Sequence, residues 1–333
     1  MKLPGSVRLR DGIEIELSSG ETVVADARSP DGDINVLSHA HGDHLYQSLP
    51  DEVICSELTA QLAELRRPDK GTVPRTSSPR ITQVPAGHIP GSRATLVYGN
   101  DVTYLYTGDI STRSRFYLSG FDPSSLDADI DVLIVETTYG EPEYRFPPQD
   151  VLERSIIDWL NDTTRPALLF GYTLGRAQEL QHLVGKSNRD RLFVTEAIER
   201  INAPIEDSLG TSFGARLYGN DVELGADDTL VLPTQTTKLS FVDHLVENRN
   251  AVKAGFSGWA TDSGFKYRGE YDETFVLSDH CDFTELVDLV TAVDPGKVYT
   301  THGSTDEFAS YLTAELGYDA RSLKRNQTSL GDF

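Results

Sequence analysis

The first part of the chain alternates short apolar runs with polar turns, a pattern typical of β-strands. VRLR, IEIEL and TVVADA are separated by the turn signals Asp11-Gly12 and Ser18-Ser19-Gly20. The strand-like runs INVLSHAH, ITQVPAGH, TLVYGN, VTYLYTGD and DVLIVETTYG follow, and four of these five lead directly into a histidine, aspartate or glutamate. Polar residues at strand ends often form active sites in α/β folds. The pattern therefore predicts a strand-rich domain with chemistry on its loops.

From about Pro147 the pattern changes to alternating helices and strands. VLERSIIDWLND and RAQELQHLVGK have apolar residues at helical spacing, and ALLFGYTLG between them is typical of a buried strand. This alternation predicts a small parallel-sheet domain up to about residue 250, with the polar stretch GADDTLVLPTQTT inside it. AVKAGFSGWA, ETFVLSDH and KVYTTHG are then predicted strands, and DFTELVDLVTAV is a predicted helix.

Length and composition narrow the class of protein. The 333 residues allow one large core or two moderate ones. The first residues contain no apolar targeting segment, and no run approaches the ~18 apolar residues that span a bilayer. We therefore expect a soluble, cytoplasmic protein without a membrane partner. Cys55 and Cys281 are too few for a disulfide framework or a thiolate zinc site, so a metal would need nitrogen and oxygen ligands.

The charge is strongly acidic, with a formal net value of -22. Only 8 of the 30 basic residues are lysines, and the acidic residues form no run of five or six. A concentrated acidic surface would argue against nucleic acid as a partner, because phosphate binding relies on clustered lysine and arginine. A well-mixed, lysine-poor surface instead resembles the proteins of salt-loving organisms. We interpret the charge as halophilic adaptation, with a functional acidic surface as the alternative.

The histidines are concentrated where strand-like runs meet loops. Within LSHAHGDHL, His39 and His41 point the same way if the loop is extended, and Asp43 with His44 can face a neighbouring position. Two pairs of ligands can hold two adjacent metal ions, and such ligands suit zinc, with manganese or iron as weaker alternatives. Asp109 in YTGDI is the best candidate for a bridging carboxylate. The other histidines at strand ends are His88, His280 and His302, whereas His182 and His244 fit ordinary surface positions.

These residues resemble the motifs of a known family. HAHGDH at residues 39–44 is similar to the HxHxDH signature of the metallo-β-lactamase fold, and His88 and Asp109 resemble its third and fourth motifs. Glu136 in VETTYG, His280 in LSDHCDF and His302 in TTHG resemble motifs A, B and C of the β-CASP nucleases. LLFGYTLGRAQEL is similar to the start of that family's inserted domain. The resemblance runs in order from about residue 30 to 305.

The resemblance implies a fold and a ligand set. The fold would be α/β, a metallo-β-lactamase αββα sandwich formed by residues 1–147 and 252–333, with a β-CASP α/β insertion at 148–251. Two zinc ions are implied, with manganese as a possible substitute. The implied ligands are His39, His41 and His88 for one ion and Asp43, His44 and His302 for the other, with Asp109 bridging the two.

The same resemblance implies a nuclease mechanism. Two adjacent metals can activate a bridging water for in-line attack on a phosphodiester. His280 would supply a proton to the leaving oxygen, with Glu136 orienting it. Arg176, with the backbone amides after Gly175, and Ser92 are candidate phosphate contacts. For Arg176, a solvated helix start is an equal alternative.

The resemblance favours one class of substrate and leaves a second class open. Histidine in motif C is typical of the RNA-processing members, so His302 favours RNA, as in mRNA 3′-end processing or exoribonuclease action. The alternative is a single-strand DNA exonuclease of the ligase-associated type. A small-molecule metallohydrolase is disfavoured by Glu136, His280 and His302, and a non-catalytic scaffold by the complete ligand set. Homodimers occur in the family and are one assembly to expect.

Overall fold

The computed structural model describes residues 5–115, 118–219 and 221–325. The numbers of strands and sheets refer to those residues. The strands are β1 (Ser6–Leu9), β2 (Ile13–Glu16), β3 (Thr22–Ala25), β4 (Ile34–Val36), β5 (Ile81–Pro85), β6 (Arg93–Tyr98), β7 (Thr103–Tyr106), β8 (Val132–Thr137), β9 (Ala167–Gly171), β10 (Leu192–Val194), β11 (Arg216–Leu217), β12 (Thr229–Pro233), β13 (Val252–Phe256), β14 (Glu273–Phe275), β15 (Lys297–Gly303) and β16 (Ala320–Ser322). The helices are α1 (Glu57–Arg66), α2 (Gln149–Asp162), α3 (Arg176–Gly185), α4 (Glu196–Leu209), α5 (Ser240–Arg249), α6 (Gly264–Gly269), α7 (Phe283–Val293) and α8 (Thr305–Leu316). Over the described ranges, none of these helices is long and apolar enough to cross a membrane.

The chain divides into two compact units. Unit 1 contains the described residues up to Arg113, Ser119–Arg145, and the residues from His280. Unit 2 contains Ser114–Leu118 and Phe146–Asp279. The sequence pattern predicts an insertion at residues 148–251, whereas unit 2 continues to Asp279 because β13 and β14 are hydrogen-bonded in its sheet.

Unit 1 is a sandwich of two sheets. The four-stranded sheet has the order β1-β2-β3-β4, and the six-stranded sheet has the order β16-β15-β8-β7-β6-β5. Ile13 and Ile15 of the first sheet pack with Tyr104 and Ile134 of the second in one buried cluster. On the other face of the six-stranded sheet, α7 and α8 contribute apolar residues such as Phe308 to a second cluster. The strands predicted from the alternating runs are confirmed.

The direction of the strands explains why polar residues meet at one edge of unit 1. Strand β8 pairs in parallel with both β7 and β15. The carboxyl ends of these three neighbours therefore share one edge of the sheet. Asp109 follows β7, Glu136 lies near the end of β8, and His302 lies near the end of β15. The fold thus brings together residues that are far apart in the sequence.

Unit 2 is built on a parallel sheet with the order β11-β10-β12-β9-β13-β14. Apolar residues of α2, α3 and α4 cover one face, and residues of α5 cover the other. Strands buried on both faces have continuous apolar sequences, as in ALLFG of β9. The stretch predicted to be polar, GADDTLVLPTQTT, instead contains the fully buried strand β12 between β10 and β9. The apolar run TLVLP is short, and the polar residues on both sides of it made the whole stretch read as polar.

We expect Leu169→Ala to destabilise unit 2 by about 2–5 kcal/mol, because Leu169 is fully buried in its sheet and truncation leaves a cavity. The only two tryptophans of the chain, Trp159 and Trp259, both lie in unit 2, so tryptophan fluorescence during guanidinium unfolding reports on this unit. Leu217→Ala is the control, because Leu217 is 46% exposed. Equal midpoints for the two variants would contradict the burial argument.

Candidate metal centre

The ring of His39 is oriented so that one nitrogen is left for a ligand. The Ser38 hydroxyl donates its single proton to Asp26 Oδ2 at 2.5 Å and lies 2.9 Å from His39 Nδ1. His39 Nδ1 must therefore carry the proton in that contact, which leaves Nε2 with a free lone pair. His39 is fully buried, and its Nε2 has no hydrogen-bond partner among the described residues. A buried ring nitrogen without a hydrogen-bond partner costs folding free energy, and this one suits a metal ligand.

Asp26 organises this part of the site. Its carboxylate accepts hydrogen bonds from Ser38 N at 2.7 Å, from His44 Nδ1 at 2.9 Å and from the Tyr106 hydroxyl at 2.8 Å, besides the Ser38 hydroxyl. Because His44 donates through Nδ1, its Nε2 is the nitrogen that faces Asp109 Oδ1, at 3.3 Å. Sequence reasoning missed Asp26 and Tyr106. The available signal was that the strand-like run TVVADA, like its successors, leads directly into a carboxylate.

Asp109 lies at the centre of the candidate ligands. Its Oδ2 is 3.4 Å from His39 Nε2 and 3.6 Å from His88 Nε2. Among the described residues, three groups of possible ligand atoms, each within 4.8 Å of one another, include this carboxylate. His39, His41, His88 and Asp109 form the first, and His44, Asp109 and His302 form the second; we call these two the ligand groups. Asp109, Glu136 and His280 form the third. The preceding Gly108 has a φ of +55°, and a Cβ there would lie 2.7 Å from the side chain of Ser38. Glycine therefore permits the close turn that carries Asp109 into the site.

The charges of this cluster are mutually compensating. Burial alone would raise the pKa of Asp109, but the charges of His44 and His39 hold it well below its usual range. Burial alone would lower the pKa of His44, but Asp109 and Asp26 raise it well above its usual range. Burial and the nearby charge of His44 lower the pKa of His39, which favours the neutral ring that ligates metals. The site therefore favours a positive charge beside Asp109, as a bound cation would provide.

His302 is presented by a distorted strand end. The pairing of β15 with β8 shifts register between Thr301 and Gly303, and His302 has a φ of +56°. Thr137 Oγ1 donates to the His302 carbonyl at 2.6 Å and holds this conformation. The ring centroids of His302 and His44 are 5.2 Å apart. A bulge of this kind is a known way to redirect a side chain at an active site.

His280 and Glu136 form a coupled pair beside the other residues. His280 Nδ1 lies 2.8 Å from Glu136 Oε1, and Glu136 is fully buried. Glu136 also accepts hydrogen bonds from Thr138 N at 2.8 Å and Ile110 N at 3.3 Å, so its carboxylate is held as an acceptor. His280 therefore donates through Nδ1 and leaves Nε2 for other contacts. Its ring centroid lies 4.6 Å from that of His88.

Three other sequence candidates lie in different surroundings. Asp43 is exposed and, within the described part of the chain, joins neither ligand group. Ser92 is buried, and its hydroxyl accepts a hydrogen bond from Ile89 N in the turn after His88. Arg176 is also buried, and it donates to Asp279 Oδ1 at 2.7 Å and to the Phe256 carbonyl. The alternative of a solvated start of α3 does not apply to it. Asp43 stays a predicted ligand, and Ser92 and Arg176 have their polar groups engaged within the protein.

Known proteins resemble this chain over most of its length. A family model described as the Zn-dependent metallo-hydrolase RNA specificity domain matches residues 273–323. The chain is 33% identical over 89% of its length to a probable DNA ligase of Opitutus terrae, and 28% identical over 51% of its length to the probable RNase MJ4 of Methanocaldococcus jannaschii. It spans only 29% and 49% of those two relatives. A crystal structure of a protein of unknown function from Enterococcus faecalis V583 covers 97% of both chains, with a TM-score of 0.65 and 13% identity.

We expect Asp26→Asn to lower zinc affinity by about 10–100-fold, because an amide cannot accept all of the hydrogen bonds that orient His44 and Ser38. Asparagine tolerates the positive φ of 53° at this position, so the backbone is preserved. Competition with a chromophoric chelator measures the affinity. Tyr106→Phe removes one donor only and should have a smaller effect. Unchanged zinc affinity in Asp26→Asn would contradict the orienting role.

Proposed function

Because the chain belongs to the metallo-β-lactamase β-CASP family and has its fold, an αββα sandwich interrupted by an α/β domain, we propose that it is a metal-dependent nuclease. The observation that carries the proposal is the convergence of buried histidines on Asp109, with the His280–Glu136 pair beside them. Ligands for cations next to a positioned imidazole are what phosphodiester hydrolysis requires.

The proposed cofactor is a pair of zinc ions, with manganese as a substitute. His39, His41 and His88 would hold one ion, Asp43, His44 and His302 the other, and Asp109 would be shared. The two ligand groups that have Asp109 in common and the unpartnered Nε2 of His39 support this arrangement. Divalent ions bound there would lower the pKa of a water molecule and neutralise charge on the phosphodiester.

Asp109, His280 and Glu136 have different roles in the proposed reaction. The lowered pKa of Asp109 keeps this carboxylate ionised, so it serves as a ligand and not as a proton carrier. His280 is held through Nδ1 by Glu136 and can donate a proton to the oxygen that leaves as the P–O bond breaks. The Glu136 carboxylate stabilises the imidazolium before the proton is donated and keeps the ring in one orientation.

We propose RNA as the substrate. His302 supports it, as does the family model named for RNA specificity, which spans both His280 and His302. The relative named a probable RNase also supports it. Single-stranded DNA is the second candidate, because the relative matched over 89% of the chain is named a probable DNA ligase.

Matched 5′-labelled RNA and single-stranded DNA oligonucleotides, incubated in high salt with zinc or manganese, test the substrate. We expect RNA to be cleaved faster and chelation to stop cleavage. A product ladder would indicate exonuclease action, and a single internal cut would indicate an endonuclease. Faster cleavage of DNA would favour the second candidate, and failure to cleave either strand would overturn the proposed function.

We expect Asp109→Ala and His280→Ala both to abolish measurable turnover. Loss of the proton donor alone should lower kcat by about 10²-fold or more. Zinc content, measured by mass spectrometry of the metal, should fall mainly in Asp109→Ala, because only Asp109 joins both ligand groups. His244→Ala, an exposed histidine of α5, is the matched control and should keep full activity. Full activity in His280→Ala would exclude its role as proton donor.

A further inference from the structure

A small cavity of about 160 Å³ adjoins the candidate metal centre within unit 1. Asp43, His44 and His302 line one side of it. Three arginines also line it, Arg10, Arg28 and Arg325. Three carboxylates, Asp11, Asp26 and Asp43, line it as well, so the cavity contains side chains of both charges. We call this space the arginine cavity.

Two of these arginines are already engaged. Arg10 Nε lies 3.5 Å from Glu14. Arg325 Nε donates to the Arg10 carbonyl at 3.2 Å, and its Nη2 lies 3.9 Å from Asp11. These contacts connect the turn between β1 and β2 to residue 325. Arg10 and Arg325 therefore shape the arginine cavity and contribute positive potential, while part of their charge is already compensated.

Arg28 differs from the other two. Its carbonyl accepts hydrogen bonds from Gln47 N at 2.6 Å and Ser48 N at 3.0 Å, so its backbone is held in place. Its exposed guanidinium makes no hydrogen bond or ion pair with any residue that the structure describes. Arg28 follows Asp26, the carboxylate that orients His44, by two residues. A fixed backbone next to the metal ligands thus carries a guanidinium whose donors are free.

The nearby carboxylates do not neutralise Arg28. Asp26 is buried and accepts its hydrogen bonds from Ser38, His44 and Tyr106. Asp11 accepts from Ser29 N at 2.7 Å and faces Arg325. Asp43, the third carboxylate that lines the cavity, is a predicted metal ligand, and a bound cation would compensate its charge. With metal bound, the arginine cavity therefore suits an anion.

We propose that the arginine cavity binds a substrate phosphate next to the scissile one, with the guanidinium of Arg28 as its ligand. The proposal rests on the nuclease function above and adds a subsite to it. Arginine matches phosphate because its planar fork can donate two parallel hydrogen bonds. The volume corresponds to about five water molecules, which is room for a phosphate group. Recognition there would not depend on the base.

Substrates in which one phosphate at a time is a neutral methylphosphonate test the subsite in the metal-loaded enzyme. We expect Arg28→Gln to raise KM by about tenfold with kcat nearly unchanged, because the contact exists in both the ground and transition states. In the wild type, a methylphosphonate at one position should raise KM by a similar factor. In Arg28→Gln, the same neutral phosphate should cause no further increase in KM. The KM of Arg28→Lys should lie between those of the wild type and Arg28→Gln, because lysine keeps the charge but loses the planar fork of donors.

Binding without turnover provides a second measurement. In a His280→Ala background, fluorescence anisotropy of a labelled oligonucleotide gives affinity as a function of salt. We expect Arg28→Gln to reduce the slope of log K against log salt by about 0.7, the value for one phosphate contact on a single strand. Arg321→Gln is the matched control, because it removes the same charge from a side chain that is 62% exposed and does not line the arginine cavity.

The outcomes separate this proposal from the one it rests on. If the wild type cleaves nucleic acid but Arg28→Gln matches Arg321→Gln in KM, salt slope and methylphosphonate profile, the subsite is wrong and the nuclease function stands. If the wild type neither binds nor cleaves nucleic acid, the proposed function fails, and the subsite fails with it.

Discussion

The candidate site depends on one buried carboxylate, Asp109, held among three histidines. An ionised carboxylate out of water is costly unless opposite charge and hydrogen bonds compensate it. His44 and His39 provide that compensation, and Asp26 holds His44 from the other side. Asp26 in turn receives the hydroxyl of Tyr106. The result is a connected polar network in which each member sets the orientation or charge of the next.

The sandwich makes this network possible because it places strand ends from distant parts of the chain at one edge. Strands β7, β8 and β15 run in parallel, so the residues that follow them arrive on the same side. Two non-glycine residues with positive φ belong to the site: His302 near the end of β15, and Asp26, which follows β3 of the other sheet. Backbone strain of this kind persists only where surrounding contacts hold it. Here those contacts are the hydrogen bonds of Asp26 and the Thr137 hydroxyl on His302.

Part of the site was predictable from local patterns and part was not. The histidines of residues 39–44 are clustered in the sequence, so their chemistry was visible directly. Asp26 and Tyr106 were missed because a single aspartate or tyrosine at a strand end is common, so the carboxylate in TVVADA was too weak a signal to single out Asp26. Arg176 was predicted as a phosphate contact from its place at the start of α3. Its partner Asp279 is far away in the sequence, so its burial could not be foreseen. Strand β12 was hidden for a similar reason, since its burial comes from neighbours on both sides.

The sequence by itself determined most of the elements and the identity of the possible ligands. Hydrophobic periodicity and side-chain chemistry are local properties, and they can be read without knowing which residues meet. Only the tertiary structure decided that two ligand groups share Asp109 and that His39 and His44 each direct Nε2 inward. It also decided that Arg28 lines a cavity beside them. These features depend on distances between atoms far apart in the chain, and the packing of the two sheets sets those distances.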